Sequence, residues 1–263
     1  MLVPRLYVNG FPKSGLHLAE CMVKQMFKPV RKKNNWWGTN AWTTERYGMD
    51  GDYLWASKLA SINPGQYMKG HSGYTSKLHG ALADLNVSMV LIYRDLRDVV
   101  VSQAHHITNS GKTGSDADLW HPEPELYKGD FEHVMKLIIE GVGKYDSIFE
   151  RWDTFAPWLE HDGIFPITFR EMLRKPERAA NRFFDYAVGV AMGQDVYIDK
   201  DIKKQIVDDL VGMLKSRSSI TYRQGKTGTW KDAFTPEITE LFKAHDKKNV
   251  LVNLGFEKDD RWH

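Results

Sequence analysis

Cysteine is almost absent from this chain. A lone Cys21 excludes an internal disulfide, and no Cys/His cluster has structural-zinc spacing, so a disulfide-stapled secreted scaffold is ruled out and a reducing, cytoplasmic setting is expected. Long apolar runs are missing as well. The longest, around Val87 to Tyr93 and Val99 to Val101, fall far short of the roughly 18 residues of a spanning helix. Met1 to Arg5 lead within a few positions to Gly10 and Pro12, which leaves no stretch of signal-peptide character. Charge of one sign is also lacking: 36 Lys and Arg stand against 34 Asp and Glu, a formal +2. Neither nucleic acid nor an acidic membrane is therefore an expected partner, and the basic residues must act by position.

What the chain does have is an alternation of β-prone runs and helical repeats over 263 residues, a length that suits one α/β domain spanning 1–263. Leu2 to Asn9 reads as a strand and Gly10 to Gly15 as a turn. Leu18, Met22 and Met26 then recur on one face of a helix. Gln66 to Lys69 suits a short strand, and the continuous apolar run Ser88 to Tyr93 suits a strand buried on both faces. Asp95 caps a helix that gathers Val100, Ala104 and Ile107. Asp130 caps a long helix through Val134, Leu137, Ile138, Tyr145, Ile148 and Phe149, and Gly163 to Phe169 reads as a further strand. Helices are predicted near Glu177 to Val188 and Asp199 to Lys215, the second with Ile202, Ile206, Leu210 and Met213 in register. Thr235-Pro236 marks one more helix start.

Two stretches lack a sustained period: the aromatic-rich Asn34 to Tyr53, read as a loop, and 109–130, read as a long loop of the kind that gates sites. The alternation implies a mostly parallel central sheet flanked by helices. Such sheets bind ligands at the carboxyl ends of their strands, so the positions of interest are 10–17, 69–72, 94–102 and 169–172.

Three of these places carry chemistry. Gly10 to Gly15 sets Lys13 between two glycines, where backbone N–H groups and a helix N-terminus can converge on an anion. The order is not that of a Walker A loop, because Lys13-Ser14 precede Gly15. Arg94 sits where an apolar strand ends, and Ser102 lies two turns into the next helix, so a guanidinium and a hydroxyl can reach one phosphate; the alternative is an Arg94–Asp98 surface pair. His71 follows a short strand, and imidazole titrates in the range useful to a general base.

Taken together, Phe11-Pro12-Lys13-Ser14-Gly15, Arg94 with Ser102, and Arg223-Gln224-Gly225-Lys226-Thr227-Gly228-Thr229-Trp230-Lys231 resemble the cytosolic sulfotransferase family over roughly residues 5 to 240. The resemblance implies a P-loop-like nucleotide-binding (sulfotransferase) fold. It also implies that 3′-phosphoadenosine 5′-phosphosulfate (PAPS) is the donor, with PAP as product and no metal. Pro12, Lys13, Ser14, Gly15, Leu16 and His17 would line the 5′-phosphosulfate site. Arg94 and Ser102 would hold the 3′-phosphate, and Arg223, Gln224 and Gly225 would close over the nucleotide. Lys69-Gly70-His71 stands where the family carries its catalytic base, which makes His71 the expected base, Lys13 the group that neutralises the leaving phosphate, and Lys69 an auxiliary at the transferring group. Residues 231–240 resemble a short dimerisation motif, with Pro236 in place of an aliphatic residue, so a homodimer is implied. An ordinary capped helix start explains Thr235-Pro236-Glu237 equally well.

The chain departs from the family at several points. Leu16-His17-Leu18 replace Thr-Thr-Trp, which removes two hydroxyls and an aromatic ring; His17 either contacts the phosphate or faces solvent. Gln224 replaces a Lys, and Phe169 replaces a cofactor-binding Tyr. His105 and His106 are read as structural, and His17, His79, His121 and His133 show no metal-ligand spacing. Trp36, Trp37, Trp42, Tyr47 and Tyr53 either wall a small-molecule acceptor pocket with the 110–129 loop or belong to the core. The competing functions are a nucleotide-binding module without catalysis, and a phosphotransferase that would need a Walker A loop and an acid holding Mg²⁺.

Overall fold

The computed structural model describes residues 4–26, 38–41, 58–113, 123–192, 198–216 and 225–262. In chain order the elements are β1 (Arg5–Gly10), α1 (Leu16–Met26), β2 (Gly38–Ala41), β3 (Tyr67–Gly70), α2 (Ser76–Asp84), β4 (Val87–Tyr93), α3 (Leu96–Thr113), α4 (Phe131–Glu140), α5 (Ile148–Phe155), β5 (Ile164–Thr168), α6 (Phe169–Arg174), α7 (Pro176–Met192), α8 (Lys200–Ser216), α9 (Pro236–His245) and α10 (Val250–Asn253). The chain divides into two compact units, Met1–Tyr93 with Phe155–Gly225, and Arg94–Thr154 with Lys226–His263.

The first unit holds one five-stranded sheet in the order β2-β3-β1-β4-β5, and every pair is parallel. Leu6, Tyr7 and Val8 are successive residues of β1 and all are fully buried, as expected of a strand covered on both faces. On one face Leu6, Val8, Val90, Ile92, Phe165 and Ile167 pack with apolar residues of α1, α6, α7 and α8. Pro166 has no N–H for a ladder, and it lies on β5, an edge strand. Because β3 and β4 flank β1 on opposite sides, the chain reverses strand order at β1, the place where α/β sheets leave a crevice for ligands. The α/β, parallel-sheet expectation holds.

The second unit is helical. Asp95 accepts from the Arg97 N–H at 3.1 Å to start α3, and Val99, Val100, Ala104 and Ile107 are buried along it. α3 packs on α4, and α4 packs on α9. Thr235 caps α9 by accepting from the Ile238 N–H at 3.3 Å, with Pro236 in the first turn, as read from the sequence.

Several local expectations need correction. The stretch 34–53 contains β2, although Trp36, Trp37, Trp42, Tyr47 and Tyr53 lie outside the described residues. α3 runs on to Thr113 and Pro124–Tyr127 form a 3-10 turn, so the expected 109–130 loop is shorter. The single helix expected from Asp130 to Phe149 is broken. Asp130 does cap α4, accepting from the His133 N–H at 2.9 Å. Gly141, however, adopts φ 85, and any Cβ there would meet the Ser147 nitrogen at 2.9 Å. α5 then opens on a capping box in which the Ser147 hydroxyl accepts from the Glu150 N–H and the Glu150 carboxylate from the Ser147 N–H. That Ser-x-x-Glu signature is present in the sequence. In α8 the buried residues are Val207, Leu210 and Leu214, while Ile202 is 56% exposed, which shifts the expected face. Phe169 begins α6 instead of ending a strand, because Thr168 caps that helix through the Glu171 N–H.

Candidate active site

The turn after β1 has the geometry of an anion cradle. The Phe11 N–H donates to Ile92 O at 3.0 Å, and the Ser14 N–H closes back on Phe11 O at 3.1 Å. Lys13 (φ 65) and Gly15 (φ 98) are left-handed on either side of Ser14, an alternation that gathers successive N–H groups into a concave nest. Positive φ is costly for a lysine and marks a turn held by its surroundings. The Leu18 and Ala19 N–H groups donate to Gly15 O, so α1 opens directly behind the nest with its positive end facing it. Ser14 is fully buried and its Oγ has no partner, a state that costs about 1–3 kcal/mol unless a ligand oxygen satisfies it. Pro12 and Lys13 are half-buried. Leu16 is buried below, and the Phe169 ring lies where a Cβ on Gly15 would be, 2.5 Å away, so this ring supports the loop from inside.

Two further cations, Lys69 and Lys24, are organised by a residue that sequence reasoning overlooked. Glu20, buried on α1, receives Lys69 Nζ at 2.7 Å, Lys24 Nζ at 2.8 Å and the Tyr67 hydroxyl, with His17 Nδ1 at 3.5 Å. Burial raises the Glu20 pKa, but these four donors more than reverse it and hold the carboxyl well below the ordinary range. Lys69 is therefore ion-paired, and the exposed His17 turns toward Glu20. A charged residue among the apolar positions of α1, five residues after Gly15, is the available sequence signal.

His71 follows β3 and places its Nδ1 2.5 Å from the Gly10 carbonyl. A carbonyl can only accept, so Nδ1 carries the proton and the lone pair of the neutral ring lies on Nε2. The next residue, Ser72, is held by Asn9 through two bonds of 2.8 Å, Nδ2 to Ser72 O and Ser72 N to Oδ1. Trp158 Nε1 donates to the same carbonyl at 3.0 Å.

In the second unit Arg94 Nη2 donates to Lys226 O at 2.9 Å and lies 3.3 Å from the buried Asp98 carboxylate. Asp98 also accepts from the Gly228 N–H (2.9 Å), the Thr229 hydroxyl (2.9 Å) and the Trp230 N–H (3.2 Å). The Arg94–Asp98 pair read as a surface alternative thus exists, buried, and it ties down the 226–230 loop. Ser102 is half-buried on α3. Gly225 takes a positive φ of 51, while Arg223 and Gln224 lie outside the described residues. No cluster of three or more His, Cys, Asp or Glu among the described residues could hold a metal ion.

A nest after β1, an imidazole after β3 and an arginine after β4 follow the order of the motifs noted above, and the profile of the sulfotransferase domain matches residues 4–251. The chain belongs to the sulfotransferase domain family. Curated relatives include sulfotransferase 1A1 of Bos taurus, 23% identical over 184 residues (64% of this chain, 57% of that protein). A flavonol sulfotransferase-like protein of Flaveria bidentis is 23% identical over 206 residues (68% and 59%). The matched part is thus less than two thirds of either relative's length. Among solved structures, mouse sulfotransferase SULT7A1 complexed with PAP aligns with a TM-score of 0.60 at 15% identity, covering 95% of this chain and 87% of that one. Retinol dehydratase in a complex with retinol and PAP aligns at 0.58 and 15%, covering 95% and 82%. At these identities the structures establish the sulfotransferase fold.

Proposed function

We propose that this protein is an enzyme that transfers the sulfuryl group of PAPS to a hydroxyl or amine of a small molecule, in line. The observation that carries the reading is the hydrogen bond between His71 and the Gly10 carbonyl. It ties an imidazole with its basic nitrogen on Nε2 to the first residue of an anion-binding turn. PAPS supplies an activated sulfuryl group on a phosphate leaving group, and the donor fits the residues present: the unpartnered Ser14 hydroxyl and the nest N–H groups match phosphate oxygens.

In this reading Lys13 and the nest neutralise charge on the departing phosphate. Arg94 and Ser102, with Arg223, Gln224 and Gly225, take the 3′-phosphate, and Phe169 keeps the loop in shape. His71 accepts the acceptor's proton on Nε2 as the bond from the acceptor to sulfur forms and the bond from sulfur to the phosphate oxygen breaks. Lys69 reaches the transferring group only by exchanging its Glu20 partner, so Lys13 carries the main charge role. A small acceptor is supported by two solved relatives, retinol dehydratase in complex with androsterone and with retinol. The 231–240 segment is proposed as a homodimer contact, which sedimentation velocity tests.

The test compares wild type with His71→Ala, using labelled PAPS and a panel of small alcohols, phenols and amines, with PAP titration calorimetry alongside. His71→Ala is expected to lose about 10²- to 10⁴-fold in transfer while PAP still binds. No transfer by either form, with PAP bound by both, makes the chain a binding module. Transfer that requires magnesium and is abolished by EDTA points to phosphoryl transfer.

A further inference from the structure

We infer that Asn9 is a positioning residue for His71: by clamping the Ser72 peptide to the end of β1, it fixes the orientation and tautomer of the imidazole. The inference rests on the reading of His71 as the base.

Asn9 is the penultimate residue of β1 and stands in register with Gly70, the last residue of β3. Beyond that rung the parallel ladder stops, and the chain that carries His71 would leave the sheet untethered. Asn9 extends the pairing with its side chain. Its Oδ1 accepts from the Ser72 N–H and its Nδ2 donates to Ser72 O, each at 2.8 Å, so one amide meets one peptide donor and one peptide acceptor. The Ser72 carbonyl receives a second N–H from Trp158, and the Ser72 hydroxyl pairs with Tyr7 at 2.5 Å. One residue earlier, His71 Nδ1 meets the carbonyl of Gly10, the neighbour of Asn9. Residues 9 and 10 thus grip residues 71 and 72 at three points.

The choice of residue is specific. Asn9 is fully buried in a strand whose preceding residues are Leu6, Tyr7 and Val8. A polar amide there costs desolvation that an aliphatic side chain would avoid, so filling space does not account for it. Aspartate is the same size but would set an oxygen against the Ser72 carbonyl oxygen.

The deciding measurement is nitrogen-15 NMR of histidine-labelled protein, with the His71 signals assigned by their loss in His71→Gln. Wild type is expected to show one His71 tautomer, protonated at Nδ1. Asn9→Ala and Asn9→Asp are expected to show a mixture, with the PAP dissociation constant within about twofold of wild type. Transfer from labelled PAPS to 2-naphthol or tyramine should fall about 10- to 100-fold in kcat, the scale set by misplacing a catalytic group by about 1 Å. If neither Asn9 variant folds, Trp158→Phe, which removes one donor to the same carbonyl, is expected to mix the tautomers partially. A wild-type ring protonated at Nε2, or an unmixed Nδ1–H tautomer in a folded variant, overturns the clamp. If His71→Ala abolishes transfer and Asn9→Ala leaves kcat intact, the clamp fails and the base stands; full transfer by His71→Ala removes the base itself.

Discussion

At Gly15 two physical demands meet: a φ of 98, which side chains with a Cβ rarely adopt, and a Phe169 ring that occupies the Cβ position. Gly15→Ala must either push that ring out of the core or flatten the nest. The expected outcome is a loss of about 1–3 kcal/mol in stability, together with PAP affinity lowered at least tenfold. Thermal denaturation and PAP calorimetry read both, and a variant with unchanged PAP affinity contradicts the nest as the phosphate cradle. Lys13, at φ 65, is different: its backbone strain would be relieved by Lys13→Gly, which keeps the backbone of the nest and removes the side chain with its ammonium. That variant is expected to bind PAP within a few-fold of wild type yet transfer sulfate far more slowly. Equal loss of both would mean that Lys13 serves donor binding alone.

Among the elements, α1 is the one whose chemistry was hidden. Its apolar face, Leu18, Met22 and Met26, was readable from spacing, but Glu20 lies on the buried side and draws in Lys69 from β3. Removing its charge with Glu20→Gln leaves Lys69 and Lys24 without a counterion, at an expected cost of about 2 kcal/mol at neutral pH. Because the folded carboxyl sits below its ordinary value of 4.5, the stabilisation is complete above that pH and is lost progressively as pH falls below it. Urea unfolding of wild type and variant should therefore show a gap that is constant from neutrality down to about pH 5 and narrows below the ordinary carboxyl value. A gap independent of pH refutes the coupling. The break between α4 and α5 carries the opposite lesson, since Gly141, Gly143 and the Ser147/Glu150 capping box were all in the sequence. Apolar periodicity continued through the break and outweighed them, because both helices bury the same kind of face.

Across the chain as a whole, the second unit is locked by residues far apart in sequence. Arg97 is 1% exposed, packed in the corner between the nearly perpendicular rings of Trp230 (3.8 Å) and Trp262 (4.3 Å) and paired with Asp95 and Glu257. Arg97→Ala leaves two carboxylates and two indoles without their shared partner, and a loss of about 3–5 kcal/mol is expected in denaturant unfolding. A loss below about 1 kcal/mol would show that the cluster contributes no more than an exposed ion pair does.

By itself, the sequence was sufficient for most of the alternation of strands and helices, for the parallel sheet, and for placing a turn after β1 and His71 after β3. Each of those depends on short-range period, on turn chemistry or on motif residues only a few positions apart. Tertiary structure alone decided which partners the polar groups took: Glu20 with Lys69, Asn9 with Ser72, Asp98 with the 226–230 loop, and Arg97 against two tryptophans. Those pairings join residues tens to more than a hundred positions apart. Local pattern carries no information about them, because the register of a parallel sheet and the burial that makes a polar contact strong exist only once the chain has folded.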